Sequence, residues 1–175
     1  MTAPARAQSP NSRGEAMVAE LKWVHSMIRR DLRIVGELAD GVEEGRPAGE
    51  VAGELRSLAA AGPLWQLKIN CLQYCRFVHS HHHAESILLF PALRRANPAL
   101  GPVVDKLEAD HTRVAELLDN VEAAARELAG HEDAEVRQRL TAALRTLSAE
   151  LLEHLAFEED NVADTMRTMT GWPMW

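Results

Sequence analysis

Aromatic residues are scarce in this chain, with one tyrosine, three phenylalanines and four tryptophans in 175 residues. β-branched residues are sparse too, so a sandwich or barrel, whose strands draw on both types, is excluded. Long apolar runs are missing as well: no stretch approaches the roughly 20 residues that span a bilayer. Nor is there a basic block. Nineteen lysines and arginines are scattered among 26 acidic residues, giving a formal net charge of -7, which makes nucleic acid a poor partner. Cysteine is limited to Cys71 and Cys75, four apart in one apolar segment. That excludes a disulfide scaffold, and a zinc site would want a second pair, so both are read as core thiols. Residues 1–14 lack the apolar stretch of a signal peptide and read as a disordered leader, with a soluble cytoplasmic protein expected by default.

What is present is leucine, alanine, glutamate and arginine, with 46% of residues hydrophobic, the balance of an all-α globular domain. Ser12-Arg13-Gly14-Glu15 has the form of a helix-opening capping box. A first helix is expected from there to about Asp40-Gly41, with Leu21, His25, Ile28, Leu32 and Val35 inward and Arg29, Arg30 and Arg33 outward. A loop and a short helix over Glu50 to Ala61 should follow. The second long helix opens at Pro63 and carries Leu64, Leu67, Cys71, Cys75 and Val78 into a histidine cluster, with Pro91 expected to kink or end it. A third runs from near Pro102 to about Gly130 with Val104, Leu107, His111, Val114 and Leu118 inward. A fourth, from about Asp133 to Met169, turns Leu144, Leu147, Leu151, His154, Glu158 and Val162 to the core. The simplest assembly is an up-down-up-down four-helix bundle over residues 15–169, followed by an apolar tail, 170–175.

Within that pattern a histidine and a glutamate recur four residues apart, as His81 and Glu85 and again as His154 and Glu158. On a helix this spacing brings both side chains to one point. His25 and His111 each take a place on an apolar stripe where an aliphatic residue would ordinarily go. A lone histidine there is usually a hydrogen-bonded core residue. Six polar side chains at one level of a bundle are another matter, because each unpaired group would cost several kcal/mol. Four imidazoles and two carboxylates exceed a closed tetrahedral zinc site but suit two iron or manganese ions bridged by the glutamates. Consecutive helical residues are spread by about 100°, so the histidine run cannot all face inward. His79 and His83 fall to the rim, as does His131 in a loop. Glu108 stands three before His111 and is a reserve ligand or a partner able to orient it, while Glu159 and Asp160 are expected to be solvated.

These motifs together, a lone His25, then His81-His82-x-x-Glu85 running into Leu89-Phe90-Pro91, then His111, then His154-x-x-x-Glu158, resemble the hemerythrin-like, or HHE cation-binding, family. The resemblance covers about residues 15 to 165 and implies a hemerythrin-like bundle around two non-haem iron ions with a bridging oxygen species. It implies a small diatomic or peroxide ligand. Oxygen-carrying members place two histidines four apart on the third helix, whereas this chain has Leu107 before His111. Its last carboxylate comes four residues after His154, and not five as an aspartate. The pattern is therefore closer to sensor or redox members, in some of which the residue after the second-helix histidine is a further ligand; His82 occupies that place. A di-iron oxidase, peroxidase or catalase-like enzyme is the alternative, and an organic substrate would need a pocket near Trp65, Tyr74 or Phe90. Iron handling without turnover is a third possibility.

Overall fold

The structure is a computed structural model that describes residues 12–44, 63–128 and 134–171, and of residues 38, 42 and 63–71 the backbone alone. Among the described residues every regular element is helical. Helix α1 spans Ser12–Glu43, α2 spans Pro63–Ala84, and a π-helical turn, Glu85–Leu89, joins α2 directly to the short α3, Phe90–Ala96. A 3-10 turn over Pro98–Leu100 leads into α4, Gly101–Glu127, and α5 covers Ala134–Thr168. Of the expected features, the short helix at Glu50 to Ala61, His131, the side chains of Trp65 and Cys71, residues 1–11 and most of the tail lie outside the described residues. Since α1 begins at Ser12, three residues assigned to the leader belong to a helix.

Each long helix packs on two others, α1 on α2 and α5, and α4 on the same two, which closes a four-membered ring. Ion pairs fix the directions. At one end Arg167 meets Glu15, and at the other Arg145 meets Asp40 and Glu43, so α1 and α5 are antiparallel. Close approach at the first end depends on Gly14, where a Cβ would fall 2.3 Å from the Arg167 carbonyl oxygen. Arg113 to Glu150 and Arg139 to Glu127 set α4 against α5 in the same sense. No helix among the described residues is long and apolar enough to cross a membrane.

The core has two apolar storeys. One contains Ile28, Val78, Leu118, Leu147 and Leu151, and the other Leu21, Leu89, Phe90, Leu107 and Val162. Between them His25, His82, Glu85, His111, His154 and Glu158 are all buried. Cys75 is a core thiol whose S–H is aimed at the Leu118 carbonyl at 3.7 Å, and burial pushes its pKa up to about 12.

Pro91 neither ends nor breaks the second helix. A proline in a regular helix clashes with the carbonyl four residues back and cannot donate to it. Here the π turn widens the helix immediately before it, with the Phe90 N–H bonded to the Glu85 carbonyl, and Pro91 falls in the first turn of α3. The extra residue also shifts the helical phase, so that Leu89, Phe90, Ala92 and Leu93 are buried while Ile87 is exposed.

Candidate metal centre

Four helices aim polar groups at the level between the two storeys. From α1 comes His25, from α2 His81 and His82 with Glu85 opening the π turn, from α4 His111, and from α5 His154 and Glu158. His25 Nε2 lies 3.4 Å from Glu158 Oε2 and 3.8 Å from Glu85 Oε1. His81 Nε2 is 3.2 Å from Glu85 Oε1, His111 Nε2 is 3.5 Å from Glu85 Oε2, and His154 Nε2 is 3.9 Å from Glu158 Oε2. The imidazoles of His82 and His111 stack with centroids 4.1 Å apart, and His154 meets both rings edge-on.

The donor atoms fall into two groupings of metal-binding size that share one carboxylate. His25, His81 and Glu85 form one, and His82, Glu85, His111 and His154 the other, with all atoms of a grouping within 4.8 Å of one another. Glu158 faces His25 in the first and His154 in the second. Eleven buried side-chain nitrogen or oxygen atoms among the described residues lack a hydrogen-bond partner, and ten of them belong to these seven side chains. Each such group costs about 1–3 kcal/mol, and a whole domain is stable by only about 5–15 kcal/mol. The set is therefore expensive as it stands and suited to cations that would take up the lone pairs.

Outer contacts fix which nitrogen faces inward. Glu159 Oε1 is 2.8 Å from His25 Nδ1 and 2.7 Å from Arg29 Nη1. With Nδ1–H donating to Glu159, Nε2 is the nitrogen of His25 that faces the carboxylates. Glu159 is thus not solvated as expected from sequence, and Arg29 is half-buried over it. His111 is held by Ser86, whose Oγ is 2.9 Å from Nδ1. Glu108, the residue expected in that role, is exposed and paired with Arg94 at 3.0 Å. It does not reach the cluster, because the exposed face of α4 turns it away. Neither Ser86 nor Glu159 was legible in advance. Ser86 acquires its position from the π turn, and Glu159 differs from its exposed neighbour Asp160 only through the packing of α1.

Electrostatics separate the seven groups. Burial lowers the His81 and His111 pKa values to about 3, with nearby histidines adding to the effect, and it lowers His82 and His154 as well. His25 also loses solvation, but the carboxylates of Glu158 and Glu85 outweigh that and raise it to about 9. Glu85 is pushed up to about 8, first by burial and then by Glu158. Glu159 is lowered: partial burial opposes this, and the hydrogen bonds from Arg29 and His25 prevail. Four neutral imidazoles and two crowded carboxylates form a mixed nitrogen and oxygen donor set of intermediate hardness.

A model of the hemerythrin HHE cation binding domain matches residues 16–165. The chain belongs to that family. Searches of curated proteins and of solved structures gave no match. As an HHE domain the chain is a metal-binding bundle, and its donor set fits that role. His79 and His83 stay outside the donor groupings: His79 is 3.6 Å from Asp119 and His83 is exposed. Of the three aromatic side chains named for an organic substrate's pocket, Tyr74 and Phe90 are buried in the core and the Trp65 side chain lies outside the described residues. A cavity of about 240 Å³ opens instead between α1 and the end of α2, lined by Leu21, Val24, Leu88 and Leu89 and touching His81 and Glu85.

Proposed function

We propose that this HHE domain holds two non-haem iron ions and that the pair binds or reacts with oxygen, peroxide or nitric oxide as a sensor or redox centre, not as an oxygen carrier. The observation that carries the reading is the convergence of buried donor atoms without hydrogen-bond partners from seven side chains, six of them in two groupings that share Glu85. His25 and His81 would serve one ion, and His82, His111 and His154 the other, with Glu85 and Glu158 bridging. Bridging carboxylates offset cationic charge that the apolar storeys could not bear. His82 supplies the third imidazole where Leu107, which is fully buried, supplies none. Two imidazoles against three would leave the first position with the more open coordination, and its His81 borders the largely apolar cavity. Such a centre, when bound, supplies Lewis acidity and one-electron chemistry toward small oxygen species.

The chain's own residues then divide the work. Glu159 and Arg29 hold the His25 tautomer, Ser86 holds His111, and Leu21, Val24, Leu88 and Leu89 keep the approach apolar, which favours small neutral ligands. The cavity exceeds what a diatomic fills, and this favours the second reading, an oxidase or peroxidase-like enzyme.

Metal analysis of protein purified in air tests the assignment. About two irons per chain with near-ultraviolet charge-transfer absorption is expected; a single zinc, or no metal, refutes it. Oxygen release from added hydrogen peroxide separates catalase-like turnover from binding.

A further inference from the structure

On the other side of α2 lies a second and different opening. It is more polar than the first, about 530 Å³ in volume, and runs between α2 and α4. At its mouth are His79 and His83, the two histidines of the run that the donor groupings do not use, together with Ser80 and Glu108. At its floor are His82 and His111, only 5% and 7% exposed, each with an Nε2 that has no hydrogen-bond partner. Their stacked rings separate the opening from Glu85, and Ser86, also in the lining, holds the His111 ring in place.

From this arrangement we propose that the α2/α4 opening is the entrance through which divalent cations load the buried centre, with His79 and His83 as the outer imidazoles that capture the ion and pass it to His82 and His111. The inference rests on the metal-binding reading above. A hydrated cation surrenders water only in exchange for other donors, and this path offers imidazole and hydroxyl groups along its length, whereas the cavity on the α1 side is largely apolar, with Glu20, His81 and Glu85 its polar lining residues. Acidic groups stand at the mouth as well: Glu108, which is paired with Arg94, and Asp119 beside His79. Rotation of His82 or His111 off its partner ring would open the floor, and the Ser86 contact is the single hydrogen bond to be broken at His111.

The test is the rate at which the metal-free, full-length protein takes up cobalt(II), followed by its visible absorption in a stopped-flow instrument. The double variant His79→Ala, His83→Ala should load about tenfold more slowly than the parent, reach the same final cobalt content and keep the same melting temperature. Val24→Phe, which narrows the apolar cavity on the other side, should leave the rate unchanged. Loading of the double variant within twofold of the parent would overturn the entrance while leaving the metal centre intact. A lowered final cobalt content in the double variant would make these histidines ligands and overturn it equally. Failure of the parent to take up cobalt would refute the metal-binding reading itself, and the entrance with it.

Discussion

Glu85 is held in an environment that opposes its own ionisation, which makes the metal-free protein pay for its donor set. Its folded-state pKa is raised from 4.5 to about 8. A raised carboxyl means that the folded state binds the proton more tightly than the unfolded state, so its contribution to stability declines as pH rises from about 4.5 to about 8. Glu85→Gln should therefore raise the melting temperature of the metal-free protein by more at pH 8 than at pH 5. The same substitution should lower bound iron well below the parent level. Equal gains at both pH values would refute the shift, and full iron content would refute bridging. Glu159 acts at one remove. Because it fixes the His25 tautomer, Glu159→Gln should weaken metal retention by about 10–100-fold against a competing chelator, with the fold preserved, whereas Asp160→Ala on the exposed side of α5 should change nothing.

At the scale of the element, the π turn is the feature that local propensity conceals. Apolar periodicity identified α1, α4 and α5 with their inward residues, since a 3.6-residue stripe states both the helix and its buried face. The same reasoning located His25, His81, His111 and His154 with their glutamates, because spacing of four on a known stripe is a geometric statement. The π turn before Pro91 escaped it, because such a turn leaves no compositional mark and reveals itself only in which residues become buried after it. Ser86 and Glu159 escaped for a related reason: their partners are on other helices, and no single-helix pattern encodes a cross-helix hydrogen bond. If the π turn accommodates the proline, Pro91→Ala should shift the melting temperature by only a degree or two. A proline straining a regular helix costs about 3 kcal/mol, so its replacement would instead raise the melting temperature by about 6–12 °C in a domain of this size. A gain of that order would show that the helix is strained at Pro91.

For the molecule as a whole, proton and metal compete for one set of lone pairs. His81 and His111 have folded-state pKa values near 3 against an ordinary 6.5, so the unfolded chain binds protons that the folded chain refuses. A depressed histidine contributes stability that is fully present above about pH 6.5 and is lost as the pH falls toward 3. The metal-free bundle should accordingly lose melting temperature steadily below pH 6.5, and the surface ion pairs, which are worth little each, cannot compensate. Cations bind the neutral imidazole and the ionised carboxylate, so loading stabilises the folded state by mass action and does so most at neutral pH and above. Two thermal-melt series between pH 4 and pH 8, one with metal removed and one loaded, should therefore diverge as pH rises and converge toward acid, where iron is released. Parallel curves would mean that the histidine layer does not carry the metal, and a flat metal-free curve would mean that its imidazoles are not held neutral by burial.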